Sequence, residues 1–303
     1  MSVIAVSSFS LHDMLGPLHL DVHDEDGNLT HLEIPKPALY SLEEFGVLAR
    51  ERLGVKAIEL CQIQFADSSP ERVAALRSSL DRTGGRVLTV VIDIGDLAGA
   101  TPEHRRADVV AITRWLDIAQ ALGARYARVN MGNPLAGESS ADRSGFLDAM
   151  RQLSLLAVER DLRLLVENHG GETSDPDYLI ALQEELGVTS VGILLDLGNF
   201  EPINTVAHAR FAGTPAADTG LETDVVYDRI AALAPHADLV HAKAYDPASD
   251  GTPLLDLERA LAIVADSGYS GDLTIEWEGL EGDPLERTAQ TISTTRRFFP
   301  QHE

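Results

Sequence analysis

Cysteine is almost absent: Cys61 is the only one in 303 residues. One thiol excludes an intrachain disulfide and any thiolate-rich zinc or iron–sulfur centre, so a metal site here would be built from carboxylate and imidazole. Basic residues are scarce too, with 24 Lys and Arg against 48 Asp and Glu and a formal net charge of −24. Binding to a phosphate backbone depends on Lys and Arg displacing counterions, which argues against DNA or RNA as a partner. No run of about 18 apolar residues is available to span a membrane. The start, Met1-Ser2-Val3-Ile4-Ala5-Val6, lacks the basic stretch and apolar core of a secretion signal. The expectation is a cytoplasmic protein without a nucleic-acid or membrane partner.

What remains is ordinary globular material, 44% hydrophobic and 24% charged. Short β-branched apolar runs alternate with helical patterns eight times, which favours a closed parallel barrel, a (β/α)8 TIM barrel, over two separate domains. The strand candidates are Ser2–Ser8, Lys56–Ile63, Arg86–Asp93, Arg125–Met131, Leu162–Asn168, Ser190–Asp196, Asp238–Lys243 and Asp272–Glu278. Ser41 with Glu44 makes a capping box, and Pro102, Pro176 and Pro284 each stand at a first helical position. Gly54, Gly84, Gly123, Gly187 and Gly268 mark helix ends. The Leu-rich faces of Val109–Leu122 and Phe146–Val158 are expected to pack outside the sheet. A single domain, 1–303, carries two long insertions at its rim. Residues 10–40 contain two alternating segments around Asp26-Gly27-Asn28, a β-hairpin pattern, and residues 199–222 are polar and rich in Ala and Gly. Both leave C-terminal strand ends, where barrel active sites are built. They are expected to cover a pocket or to make an oligomer contact.

The last four strands end in charged residues after apolar runs: Glu167-Asn168-His169, Asp196, His241-Ala242-Lys243 and Glu276-Trp277-Glu278. Strand side chains alternate, so Glu167 shares a face with His169, His241 with Lys243, and Glu276 with Glu278. Taken singly, such a Glu is more often solvated and such a Lys a surface residue, while such a His is as readily a hydrogen-bonded core residue as a ligand. Four adjacent strands ending alike are harder to dismiss: carboxylates and an imidazole pointing into one barrel mouth would repel without a cation, and a metal site follows. Periodicity does not choose between Glu276 and Glu278. Glu59, Arg128 and Asn130 are weaker rim candidates, with Asn130 a possible contact for substrate hydroxyls and Glu59 equally suited to bridging a neighbouring strand.

Four segments, Leu165-Val166-Glu167-Asn168-His169-Gly170-Gly171, Leu195-Asp196-Leu197-Gly198-Asn199, Val240-His241-Ala242-Lys243 and Thr274-Ile275-Glu276-Trp277-Glu278-Gly279, together with the Ala121-Leu122-Gly123-Ala124 turn, resemble the xylose isomerase-like barrel superfamily in its sugar isomerase and epimerase branch. The resemblance implies one divalent ion held by Glu167, Asp196, His241 and Glu276, and it prefers Glu276 to Glu278. It also implies that His169 and Lys243 face the substrate. Many relatives carry a histidine where this chain has Asn199, so a substrate contact there is changed. The oxygen-rich ligand set suits Mn²⁺ first, with Mg²⁺, Co²⁺ or Zn²⁺ as alternatives. The expected activity is isomerisation or epimerisation of a sugar-like polyol or ketose by proton abstraction beside a polarised carbonyl, with Glu167, Glu276 and His169 as catalytic groups and Lys243, Asn130 and Asn199 binding substrate. The first alternative is a lyase resembling inosose dehydratases or C-glycoside-cleaving enzymes. A non-catalytic sugar-binding barrel and an endonuclease-like activity rank below it. The partner is a small sugar-like molecule, and a homo-oligomer or a small partner subunit stays open.

Overall fold

The computed structural model describes residues 2–23, 29–99, 101–131 and 142–300. In chain order the described elements are β1 (Ile4–Ser7), β2 (Leu18–His23), β3 (Leu29–Ile34), α1 (Leu42–Leu53), β4 (Ala57–Cys61), α2 (Pro70–Thr83), β5 (Arg86–Ile92), α3 (Pro102–Leu122), β6 (Tyr126–Val129), α4 (Arg143–Val158), β7 (Arg163–Glu167), α5 (Pro176–Leu186), β8 (Val191–Asp196), α6 (Ile203–Phe211), α7 (Asp224–Leu233), β9 (Ala237–Ala244), α8 (Leu257–Asp266), β10 (Asp272–Trp277) and α9 (Pro284–Phe298). Eight strands close into one parallel barrel in the order β1-β10-β9-β8-β7-β6-β5-β4, and β2 with β3 forms a separate two-stranded sheet. All eight strands expected from the sequence are present within a few residues of their expected limits.

The helices start and stop where local chemistry dictates. Ser41 and Glu44 form a reciprocal capping box on α1, Thr101 caps α3 ahead of Pro102, and Asp175 and Asp283 cap α5 and α9 ahead of Pro176 and Pro284. Each cap satisfies backbone N–H groups that the helix itself cannot. The main core lies between sheet and helices, with Ile112 and Leu116 of α3 and Met150 and Leu153 of α4 buried in it. Among the described residues no helix is long and apolar enough to cross a membrane.

Two segments add structure after the C-terminal ends of barrel strands. The strands β2 and β3 pair antiparallel from Leu18↔Ile34 to His23↔Leu29, the hairpin expected in 10–40; its turn at Asp26-Gly27-Asn28 lies outside the described residues. Segment 199–222 is more than a polar loop, because it contains α6. The apolar stripe of Ile203, Val206 and Ala207 is only two turns long, too short to stand out from an Ala-rich background. Arg210 holds this helix to the loop after β9, donating to the carbonyls of Asp246 and Pro247 and to the Asp218 carboxylate. Asp246 in turn accepts the backbone N–H groups of Leu280 and Glu281 after β10.

Candidate metal centre

Inside the barrel a floor of Ala5, Ala57, Leu88, Tyr126, Leu165, Leu194 and Leu239 packs as a cluster separate from the outer core. Because strand side chains repeat every second residue, each floor residue fixes what stands one layer above it. Above Ala57 is Glu59, above Tyr126 is Arg128, above Leu165 is Glu167, above Leu194 is Asp196 and above Leu239 is His241. A dry apolar layer therefore supports a layer of ionisable side chains at the C-terminal mouth. All five are buried, as are Lys243 and Glu276.

His241 is the centre of this layer. Its Nδ1 lies 3.5 Å from Asp196 Oδ2, 3.5 Å from Glu276 Oε2 and 3.9 Å from Glu167 Oε1. Its Nε2 turns the other way and meets Glu59 Oε2 at 2.9 Å. Lys243 Nζ sits beside the same carboxylates, 2.9 Å from Asp196 Oδ2, 3.0 Å from Glu276 Oε1 and 2.8 Å from Glu278 Oε2, and donates to Asn199 Oδ1 at 3.1 Å. Asn199 Nδ2 donates to Glu167 Oε1 at 3.2 Å. Arg128 joins Asp93 to Glu167 by charge contacts of 2.5 and 2.8 Å.

The loops hold these groups by backbone. Asp196 Oδ1 accepts the N–H groups of Gly198 and Asn199, while Asn168 bridges to the Asp196 backbone through both its amide atoms. Gly198 is required for space: a Cβ there would lie 2.5 Å from the Tyr245 hydroxyl and 2.9 Å from Lys243 Cδ.

Crowding of buried carboxylates draws positive charge. Burial raises the Glu167 carboxyl to about 7, against the opposing pull of Arg128 and His241. Burial raises Glu276 as well, with Lys243 opposing. At Asp196 burial acts upward, but Lys243 and His241 outweigh it and hold the group low. Burial disfavours charge on His241 and Lys243, yet Glu59 on the first and Asp196 with Glu276 on the second push both well above their ordinary values. Asp196 Oδ2 and Glu167 Oε2 are buried and held by charge, facing Lys243 at 2.9 Å and Arg128 at 2.8 Å, while buried His241 Nδ1 makes no hydrogen bond among the described residues. Three carboxylates converging on an imidazole nitrogen that makes no hydrogen bond are a donor set that fits a divalent cation.

Most residues singled out in the sequence thus meet at one place, and three sit differently from simple alternation. His169 lies past the end of β7, its N–H donating to Thr173 Oγ1 and its buried Nδ1 without a hydrogen bond among the described residues. Burial, aided by Arg128, lowers its pKa to about 3, so the ring is neutral. Asn130 stands past β6, partly exposed, beside residues outside the described set. Glu59 does not bridge a neighbouring strand: it reaches across to β9, with β1 and β10 between. Glu278, the alternative that periodicity leaves to Glu276, faces Lys243, whereas Glu276 faces both Lys243 and His241 Nδ1. Asp93, which pairs with Arg128, is an addition to the residues read from the sequence; its place as the last residue of the expected third strand is the signal that could have found it.

The family model described as xylose isomerase-like TIM barrel matches residues 48–298. No curated protein sequence matches significantly. Among solved structures, the chain is similar to L-ribulose 3-epimerase, with 16% identity, TM-score 0.67, and 99% of this chain and 96% of that one covered. It is similar to 3-keto-D-glucoside 4-epimerase from E. coli, with 16% identity, TM-score 0.62, and 98% and 100% covered. It is also similar to a xylose isomerase-like TIM barrel protein from Mycobacterium smegmatis in complex with magnesium, with 15% identity, TM-score 0.65, and 98% and 96% covered. At these identities the likenesses show a common fold.

Proposed function

The chain belongs to the xylose isomerase-like TIM barrel family, and from that premise we propose that it is a divalent-metal-dependent isomerase or epimerase of a sugar-like polyol or ketose. The observation that carries the reading is the convergence of Glu167, Asp196 and Glu276 on a buried His241 Nδ1 that makes no hydrogen bond. These four residues would hold the ion. Mn²⁺ is the first choice because three carboxylates and one imidazole are mostly hard donors; Mg²⁺, present in one structural relative, is the second. When bound, the ion supplies positive charge to a substrate carbonyl and makes the neighbouring C–H more acidic.

The protein's own groups then move the proton. Glu167 and Glu276 stand on β7 and β10, strands separated by β8 and β9, and so approach a bound substrate from different sides. One carboxylate takes a proton from carbon and the other, initially protonated, delivers its own to the opposite face, which inverts that carbon; delivery to the adjacent carbon, with the hydroxyl proton passing from one oxygen to the other, instead gives isomerisation. Neutral His169 is available to relay a hydroxyl proton. Lys243, Asn199 and Asn130 would orient substrate oxygens. Gly198 leaves the space that the Tyr245 hydroxyl and the Lys243 stem occupy beside it.

The test is exchange of carbon-bound hydrogen with D₂O across a ketose, aldose and inosose panel, after chelation and metal add-back, with mass analysis of products. Exchange with conserved mass supports the proposal. Loss of water or of an aglycone would replace it with a lyase, and no exchange with any member would refute both. Glu276→Gln is expected to lower turnover at least about 100-fold, the usual contribution of a positioned proton-transfer group.

A further inference from the structure

Glu59 is fully buried in the ionisable layer, with 0% exposure like Asp196, and its one hydrogen bond is to His241, on the side of the ring away from Asp196 and Glu167. Its strand is remote from β9 in the barrel order, so the contact with His241 is a reach across the barrel interior and no part of a strand ladder. The contact is a single hydrogen bond, Nε2 to Oε2 at 2.9 Å, and Glu59 Oε1 makes no hydrogen bond.

We infer that Glu59 is the positioning residue of the metal centre, fixing both the rotation of the His241 ring and which of its nitrogens carries the proton. A neutral imidazole has one N–H and one lone pair, and an ionised carboxylate only accepts. When the ring is neutral, as a cation at Nδ1 requires, Nε2 facing an ionised Glu59 is the nitrogen that keeps its proton, which leaves the lone pair on Nδ1, the atom that faces Asp196, Glu276 and Glu167. Without Glu59 the ring can rotate, or carry its proton on Nδ1, and in either case the nitrogen ligand is lost until the cation reverses it. Glu59 is closest in kind to the carboxylates that orient metal-ligating histidines elsewhere, whose loss weakens metal binding by about 10- to 100-fold. Glu59 and Glu276 could instead hold an ion with His241 between them. The three-carboxylate side is the richer donor set, and Nε2 faces a single carboxylate.

This role rests on the metal reading of the centre, and the experiment separates the two. Wild type, Glu59→Gln, Glu59→Leu and Asp196→Asn are stripped with chelator and titrated with Mn²⁺ by calorimetry. Histidine nitrogen NMR on the Mg²⁺-loaded forms reports which ring nitrogen carries hydrogen. The expected result is about a 10- to 100-fold weaker Mn²⁺ affinity in Glu59→Leu and a smaller loss in Glu59→Gln, whose amide oxygen still accepts from Nε2. Wild type should show hydrogen on Nε2 of His241. Unchanged affinity in both Glu59 variants, or hydrogen on Nδ1 in wild type, overturns the positioning role and leaves the centre standing. A loss in Glu59→Gln equal to that in Asp196→Asn overturns it in favour of Glu59 as a ligand. No Mn²⁺ binding by wild type overturns the centre itself, and this role with it. Should Glu59→Leu fail to fold, Glu59→Gln, nearly isosteric, decides by the same two readouts.

Discussion

At the scale of single residues, Lys243 is the side chain on which the centre's electrostatics turn. Its ammonium group faces Asp196, Glu276 and Glu278 in a layer closed to solvent. Removing one partner of a buried ion pair leaves the others uncompensated, at a typical cost of about 3–5 kcal/mol. Lys243→Met, similar in length but uncharged, is therefore expected to destabilise the metal-stripped protein by about 3 kcal/mol, as read from denaturant unfolding. Added Mn²⁺ should recover more stability in the variant than in wild type, because the ion then becomes the chief counter-charge. Equal recovery in the two proteins would show that Lys243 and the ion do not share these carboxylates. The sequence placed Lys243 on the right strand face through its parity with His241. That its ammonium group lies among the acids themselves was hidden, since alternation gives a side chain's direction and says nothing of its reach.

At the scale of elements, the barrel strands and helix caps were legible because their signals are local. A capping box spans four residues and a buried strand five or six, so Ser41 with Glu44, or the run ending in Asp196, can be read without knowing the rest of the fold. Glu59 could not be read this way: its meaning depends on His241, 182 residues later. The helix α6 was hidden for another reason, the shortness of its stripe. Its attachment predicts how it behaves. Arg210 supplies hydrogen bonds to Asp246, Pro247 and Asp218, and those to a charged group are worth about 1.5–3 kcal/mol each before solvent screening. Arg210 is partly exposed, so about 2 kcal/mol of local stability is a fair discount for Arg210→Ala. If opening and closing are fast, protease nicking within 199–222 should accelerate by about 30-fold with little change in global unfolding. Nicking at the wild-type rate would mean that the packing of Ile203 and Val206 holds α6 by itself.

At the scale of the whole molecule, the proposed function carries a consequence of charge: the acidic ring would discriminate among sugars that differ in charge. Six carboxylates, Glu59, Asp93, Glu167, Asp196, Glu276 and Glu278, gather around two permanent cations, Arg128 and Lys243, and each cation is already engaged by acids. A divalent ion would offset only part of this excess, within a chain of formal charge −24. A phosphorylated substrate would approach through a repelling field and, among the described residues just named, meet no uncommitted cation. A neutral sugar feels neither effect. Long-range repulsion is screened by salt, with a Debye length falling from about 30 Å at 0.01 M to about 10 Å at 0.1 M. For any sugar turned over, kcat/KM should therefore be nearly flat across that range. Its phosphate ester should react at least about 10-fold more slowly at low salt and gain as salt is added, the sign expected for like charges. A phosphate ester that reacts faster, or slows as salt is added, would mean that a cationic patch outside this ring governs substrate entry and that the acidic mouth is not the specificity element.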